Sequence, residues 1–314
     1  MGQKGYFHFL WMGLVILPIT LVAGCGGGGG EGGNGGATST SSAGGVVSGT
    51  ANKGPVSGAT VIAYAINANG ARGSQVGSGQ TDGQGNFSMS VGNHSGPLML
   101  QMSGGNYMDE ATGSQMPMGS IDVMTCIISS MPGGSTAGGI QITPLTSMAQ
   151  SMAQNMSGGM TPLNIAQANN AVGRYFGVSD ILTTHPMDPT VNGSGIPATQ
   201  DMRNYGMTLA AMSQYAKNIG MPHSAGIVTA MMNDSSDGRM DGMMTGQGGM
   251  MGNQQIQMGG GMMNGTVLPA DAGTRGLADA MAQFINSPMN RSGLTVQDMQ
   301  NLMDTLRASN GQIQ

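Results

Sequence analysis

Ala59–Ile66 has the sequence Ala-Thr-Val-Ile-Ala-Tyr-Ala-Ile, which is rich in β-branched and apolar residues. Successive side chains of a β-strand point to opposite faces. Ile62, Tyr64 and Ile66 would therefore share one face, with Val61 on the other. Glycines precede and follow this stretch, as turns commonly require. We expect a strand here, within a larger β module.

Two further alternating segments follow turn signals at Asp82–Gly85 and at Gly96-Pro97. Their apolar positions are Phe87, Met89 and Val91 in the first segment and Leu98, Leu100 and Met102 in the second. Short strands separated by glycine-rich turns are typical of a small antiparallel β-sandwich. The pattern predicts this sandwich over residues 46–118.

Three short motifs in this region carry a family resemblance. They are Val-Ser-Gly-Thr at 47–50, Gly-Pro-Val-Ser-Gly-Ala-Thr-Val at 54–61 and Thr-Asp-Gly-Gln-Gly-Asn-Phe at 81–87. Together they resemble the prealbumin-like, carboxypeptidase-regulatory-like sandwich over residues 45–115. The resemblance implies the fold, but such modules serve as spacers, stabilisers or binding domains, so it implies no particular activity.

Helical patterns replace the strand patterns from residue 142 onward. Thr143 can cap a helix that begins at Pro144, and Met148, Met152 and Met156 then form a stripe for packing. Further helices are expected at Leu163–Phe176, Asp201–Lys217, Ser224–Met232, Gly276–Ile285 and Thr295–Ala308. The predicted fold is therefore multidomain α+β, in which a small antiparallel β-sandwich of Ig or prealbumin-like type and a loose α-helical domain (142–314) are joined by a connector (119–141).

The N-terminus has the pattern of an export signal. Lys4 is followed by a nearly continuous apolar run, Leu10–Val22, then by two small residues and Cys25. This run is shorter than the roughly 20 residues of a spanning helix and contains Pro18. An uncleaved anchor with an incidental cysteine is the alternative.

The stretch Leu21-Val22-Ala23-Gly24-Cys25 resembles the lipobox of bacterial lipoproteins. The resemblance implies that residues 1–24 are a signal peptide that is removed and that Cys25 is acylated. It also implies a membrane partner, because several acyl chains on one residue anchor a protein stably. Gly26 follows in place of an acidic residue, which by the same resemblance favours the outer membrane. Residues 25–45 then form a Gly/Ser-rich tether, typical of flexible coil.

Composition excludes some partners. The net charge is −5 and only 8% of residues are charged, so we expect no nucleic-acid surface. An envelope protein or polymer is the expected partner, of unspecified identity. If Cys25 is acylated, Cys126 is the remaining thiol, and we expect it to be a buried small hydrophobe.

Two stretches suggest metal chemistry. Asn233, Asp237 and Asp241 have the spacing of calcium ligands around Gly238, but position twelve is Met244 and supplies no carboxylate. A helix-terminating loop is the preferred interpretation, with weak calcium binding as the alternative. Likewise, Asp109 and Glu110 could bind calcium, although a polar loop beside a packed Tyr107 is favoured.

The segment 231–263 is rich in methionine, and soft thioethers prefer Cu(I). The candidate copper ligands are Met243, Met244, Met250, Met251, Met262 and Met263. Methionine is nevertheless abundant throughout, with 33 in the chain, and commonly fills cores. We therefore expect no bound cofactor, with Cu(I) or calcium as alternatives.

Enzymatic activity finds little support in the sequence. His94, His185 and His223 have no carboxylate or nucleophile pattern beside them. We predict a non-enzymatic structural or interaction role at the bacterial envelope. A periplasmic Cu(I) buffer and an unrecognised hydrolase remain as alternatives.

Overall fold

A sheet-rich region precedes a helical region along the chain. The computed structural model describes residues 44–119, 121–244, 254–256 and 267–313. The predicted signal peptide, Cys25 and the tether up to residue 43 lie outside the described residues. The strands before the first helix are β1 (Gly45–Ala51), β2 (Thr60–Ile66), β3 (Arg72–Gln80), β4 (Asn86–Gly92), β5 (Gly96–Ser103), β6 (Asn106–Met108), β7 (Gln115–Pro117), β8 (Val123–Met131) and β9 (Thr136–Ile142).

The helices follow after residue 143. They are α1 (Pro144–Asn155), α2 (Pro162–Tyr175), α3 (Gln200–Asn218), α4 (Ala225–Asp234), α5 (Arg275–Ile285) and α6 (Gln300–Ala308). Two short strands, β10 (Met243–Met244) and β11 (Gln254–Gln255), pair between α4 and α5. In the part of the chain that the structure describes, no helix has the length and apolar character needed to cross a membrane.

The strands form two main sheets, in the orders β4-β1-β9 and β3-β2-β5-β8, with β6 and β7 as a separate hairpin. This arrangement is compatible with a β-sandwich. Most neighbouring strands are antiparallel, but β1 and β9 run parallel, with Val46 opposite Thr136 and Ala51 opposite Ile142. The pairs that β1 to β7 form with one another are antiparallel, as predicted for residues 46–118. The parallel strand β9 lies beyond that range and joins β1 after a long intervening stretch of chain.

Residues 119–141, predicted to be a connector, supply β8 and most of β9. β8 is an edge strand of the four-stranded sheet and is buried along most of its length. A strand buried on both faces lacks the alternation of apolar and polar residues that marks a half-exposed strand. The sheet region therefore extends to Ile142, beyond the predicted boundary at 118.

The helix starts follow local sequence rules. Thr143 caps α1, and its side chain and that of Thr146 form a reciprocal capping box. Thr161 and Thr199 cap α2 and α3 through a single contact each, in which the hydroxyl group accepts the N–H of Asn164 or of Met202. Thr295 and Asp298 form a capping box in the short 3₁₀ turn that precedes α6.

The sheets and helices share one hydrophobic core, and the described residues from Gly44 to Ile313 belong to one compact unit. Polar contacts also cross between them: the N–H of Thr125 on β8 donates to Ser147 Oγ on α1 at 2.8 Å. Cys126 on β8 is fully buried, as expected, and burial raises the pKa of its thiol. That cysteine is consequently an inert part of the core.

Candidate functional site

A buried ionic cluster lies where the sheets meet the helices. Lys53 is 0% exposed, and its Nζ donates to Glu110 Oε2 at 3.0 Å. The same ammonium donates to the hydroxyl groups of Ser213 and of Ser224, the latter at 3.3 Å. Lys53 therefore has three acceptors, the number that an ammonium group can satisfy.

Separate elements bring these residues together. Lys53 lies in the turn after β1, whereas Glu110 lies between β6 and β7. Ser213 lies on α3 and Ser224 directly precedes α4. The cluster therefore joins the sheet region to two helices.

The hydroxyl groups connect the cluster into a network. Ser213 Oγ donates to Glu110 Oε2 at 2.5 Å, and Ser224 Oγ donates to Asp109 Oδ2. Tyr107 OH lies 3.0 Å from Ser224 Oγ and accepts the N–H of residue 225, in the first turn of α4, at 3.0 Å. Within this network each buried polar group is satisfied, which is what makes its burial tolerable.

Charge pairing sets the protonation of the cluster. Burial by itself lowers the pKa of Lys53, but the negative charges of Glu110 and Asp109 outweigh it and leave the pKa above its ordinary value. Burial also raises the pKa of Tyr107, although the positive charge of Lys53 opposes that shift. Lys53 is therefore a permanent cation at neutral pH.

The residue types match those of serine–lysine acyl transfer, but the arrangement does not support such chemistry. A general-base lysine needs a lowered pKa, and Lys53 has a raised one. The cavity that touches Glu110 has a volume of about 10 Å³, enough for one water molecule at most. The geometry is that of a buried structural network.

Sequence reasoning placed only part of this cluster. Asp109 and Glu110 were expected in a polar loop beside a packed Tyr107, and the structure places both of them in the buried network, at 1% and 3% exposure. Adjacent residues point to opposite faces only on an extended strand, and Glu110 begins a turn. Lys53 was missed, although a lone lysine between Ala51 and Val56 in a chain this poor in charge was an available signal.

The acidic loop after α4 ends that helix. Gly238 has a φ of 83°, the left-handed conformation that stops the 3₁₀ turn. Asp237 Oδ1 and Asp241 Oδ1 each accept the backbone N–H two residues on, at 3.0 and 3.1 Å. Within the described residues, no group of three or more His, Cys, Asp or Glu side chains could hold a metal ion. Weak calcium binding by Asn233, Asp237 and Asp241 stays the alternative to that helix-terminating loop.

A neighbouring aspartate was not singled out by the sequence. Asp234 is 0% exposed, and its Oδ1 accepts the N–H groups of Asp241 and Gly242 at 3.0 and 2.8 Å. Its Oδ2 is buried without a hydrogen-bond partner. Burial raises the pKa of this carboxyl to about 7, against the two backbone hydrogen bonds. The charges of Asp241 and Asp237 raise it further.

The methionine-rich segment is only partly described. Met243 and Met244 are half-buried neighbours on β10, so their side chains leave opposite faces of the strand. Two other methionines of the segment, Met231 and Met240, are buried in the core. The remaining candidate copper ligands lie outside the described residues: Met250, Met251, Met262 and Met263.

The histidines do not assemble a site with the carboxylates above. His94 Nε2 lies 3.1 Å from the carbonyl oxygen of Pro97, a local contact. His185 and His223 are exposed. None of the three lines the two larger grooves described next.

Two open grooves mark the surface of the described body. The larger, about 600 Å³, lies between the turn joining β2 to β3 and the connection from α1 to α2. We call it the seam groove; its lining residues include Asn69, Arg72, Met99, Gln154 and Met160. The smaller, about 270 Å³, lies between the end of α2 and the starts of α3 and α6.

Comparison of the chain with protein-family models and with curated proteins finds no match.

Proposed function

We propose that the chain is an exported bacterial lipoprotein whose folded body has a structural or binding role at the cell envelope. The lipobox-like stretch Leu21–Cys25 supports anchoring through an acylated Cys25, and Gly26 supports the outer membrane. The two sheets support a prealbumin-like sandwich as the first part of the body. The helices that follow share its core and extend it.

The observation that carries a non-enzymatic role is the closure of the Lys53 cluster. Its serines, lysine and carboxylates are the described side chains closest in type to an acyl-transfer site. All are buried and are hydrogen-bonded to one another. A substrate could not reach Ser213 or Ser224 without separating the helices from the sheets.

Acylation is tested by expressing the full chain in a Gram-negative host with labelled palmitate. We expect label in the membrane fraction, and its loss with release of the protein in Cys25→Ser. Cys126→Ser is the matched control, because its thiol is buried and should leave labelling unchanged. An unlabelled wild-type chain would refute the lipoprotein assignment.

The non-enzymatic assignment is tested with a fluorophosphonate probe, which labels activated serines. We expect no labelling of the folded chain at Ser213 or Ser224. Labelling of either serine that is lost in Lys53→Met would favour the hydrolase alternative instead.

One observation favours a second candidate function, a Cu(I) buffer. In the described part of the methionine-rich segment, β10 pairs with β11, which sets the half-buried Met243 and Met244 opposite Gln255 and Gln254. Competition against a chromophoric Cu(I) chelator tests it. Leucine replacement of the six candidate methionines should abolish tight binding if copper is the ligand, whereas Met108→Leu, at an exposed methionine elsewhere, should not.

A further inference from the structure

The seam groove has rigid walls. The carbonyl oxygen of Gly70 accepts the N–H of Met160 at 2.9 Å, which ties the β2–β3 turn to the α1–α2 connection. The backbone of Gly158 and Gly159 occupies the space that a Cβ on Gly70 would need. Because both turns are held by backbone contact, the groove between them exists before any ligand arrives. Such preorganisation reduces the entropic cost of binding.

Arg72, which lines the groove, has N–H donors that are not used in contacts within the protein. Arg72 uses one N–H, from Nη1, on Gln101 Oε1 at 3.0 Å, and its guanidinium lies 4.8 Å from the ring centroid of Tyr64. An arginine has five N–H donors, so most of them remain for a ligand. The ring contact also holds the guanidinium plane in place.

The two amides of the groove have their oxygens engaged. Asn69 Oδ1 accepts the N–H of residue 71 at 3.2 Å, and Gln154 Oε1 accepts from Gln150 Nε2 at 2.6 Å. Their NH₂ groups are the parts left to bind. Sugar hydroxyls both donate and accept, whereas carboxylate and phosphate oxygens only accept. A lining whose side-chain donors are free and whose side-chain acceptors are engaged therefore favours carboxylate or phosphate oxygens over sugar hydroxyls.

The charge of the groove agrees with this selection. Arg72 is its one charged lining residue within the described part of the chain, and none of the residues that line it there is acidic. The chain as a whole has a net charge of −5, so the positive charge of this lining is opposite in sign to the net charge of the chain. Nearly buried side chains of Met99 and Met160 form an apolar floor beside it.

We propose that the seam groove binds the oxyanion of a polar ligand, a carboxylate or phosphate, through Arg72, Asn69 and Gln154. Arginine presents paired N–H groups that match either anion in a bidentate fashion. The volume of about 600 Å³ is that of a typical small-ligand site and would take one or two units of a polymer. This inference rests on the proposed binding role at the envelope, and it identifies the partner there as an anionic polymer.

The experiment measures binding of two probes to the full chain in detergent micelles by calorimetry. Oligogalacturonate presents carboxylates, and short-chain polyphosphate presents phosphates. We expect one of them to bind with a Kd below about 1 mM, and the probe that binds identifies the anion. We expect Arg72→Gln to weaken that binding at least tenfold.

Two further variants make the result specific. Gln154→Glu leaves Arg72 and its contacts in place but adds a negative charge, and it should abolish binding. Arg307→Gln, at an arginine paired with Asp279 elsewhere on the surface, is the matched control and should bind like the wild type. Thermal unfolding of each variant checks that it is folded.

The inference is overturned if neither probe binds, or if Arg307→Gln weakens binding as much as Arg72→Gln does. Such a failure is separate from failure of the proposed function. Loss of groove binding with palmitate labelling intact removes only the anion site, whereas an unlabelled chain removes the lipoprotein assignment.

Discussion

Lys53 shows how a single charge can join two parts of a fold. Its ammonium is buried between the sheet region and the helices, and its partners are 57, 160 and 171 residues away in sequence. Burying an ammonium costs several kcal/mol, and only close partners with good geometry offset this. Removing the lysine would leave Glu110 and Asp109 buried without their counter-charge.

We expect Lys53→Met to lower the free energy of unfolding by about 3–5 kcal/mol, as removal of one partner of a buried ion pair does. The double variant Lys53→Met/Glu110→Gln should be less destabilised than the sum of its single variants. Urea unfolding followed by circular dichroism measures both. Arg307→Met breaks a partly exposed ion pair and should cost about 1 kcal/mol or less. If Lys53→Met and Arg307→Met lowered the free energy of unfolding equally, the result would contradict the structural role of the cluster.

Asp234 predicts a pH dependence of stability with a definite sign. Burial raises its pKa from an ordinary 3.8 to about 7 in the folded chain. Between these values the folded state holds a proton that the unfolded state has released. Stability contributed by this group is therefore present at low pH and is lost as the pH rises from about 4 to 7, by at most about 4 kcal/mol.

The measurement compares wild type with Asp234→Asn in urea unfolding at pH 4 to 8. The variant cannot ionise, so its stability relative to wild type should rise with pH across that window. Asp304→Asn, at an exposed aspartate on α6 that does not contribute to the shift of Asp234, is the control and should follow the wild-type curve. A constant difference between Asp234→Asn and wild type at every pH would rule out this assignment.

At the scale of elements, the parallel contact of β1 with β9 depends on one residue without a side chain. Gly49 lies opposite Ile140, and the Ile140 carbonyl occupies the place of a Cβ on Gly49. A methyl group there must push the strands apart. We expect Gly49→Ala to lower the free energy of unfolding by about 1–3 kcal/mol, the usual cost of overpacking.

Gly83→Ala is the matched control for this substitution. Gly83 lies in the turn before β4, and nothing is within 4 Å of a Cβ built there. Its replacement should change stability by no more than about 0.5 kcal/mol, as at ordinary surface positions. Thermal unfolding compares the two variants directly. Similar melting temperatures for both would mean that β1 and β9 can separate without cost.

Elements with local signals were predictable from the sequence. The start of α1 follows from Thr143 and Pro144, because capping depends on residues within one turn. β4 follows from the alternation of Phe87, Met89 and Val91, all of which are buried. β8 was not predicted, because burial on both faces removes the alternation that signals a strand.

The candidate site was less predictable than the elements because its residues are not close together in the sequence. The Lys53 cluster and the seam groove each combine residues from separate elements, and only the tertiary fold sets their distances. A sequence shows that Lys53 and Arg72 are rare charges, but it does not show which carboxylates or amides face them. The acidic loop at 233–242 was predicted as a helix terminator because its signals, Asp and Gly, act within a few residues.

At the scale of the whole molecule, the sheets and helices depend on one another. β8 packs against α1 and α2, and Asn169 on α2 donates to the carbonyl of Ile127 at 3.2 Å. The ammonium of Lys53 depends on Ser213 and Ser224 from the helical region. A sheet region cut from its helices would expose β8 and leave Lys53 short of acceptors.

We therefore expect residues 44–142 expressed alone to lack a cooperative unfolding transition. Residues 44–314 should unfold in a single transition, with the same midpoint by near-UV and far-UV circular dichroism. Lys53→Met/Glu110→Gln in the short fragment separates the two causes, since it removes the Lys53–Glu110 ion pair but leaves the apolar face of β8 uncovered. If the uncovered apolar face of β8 is what prevents folding, this double-variant fragment also lacks a cooperative unfolding transition. If the buried ion pair is what prevents folding, the double-variant fragment regains one. Cooperative unfolding of the unmodified fragment would show instead that the sheets are an independent domain, and the helices would then be an appended layer.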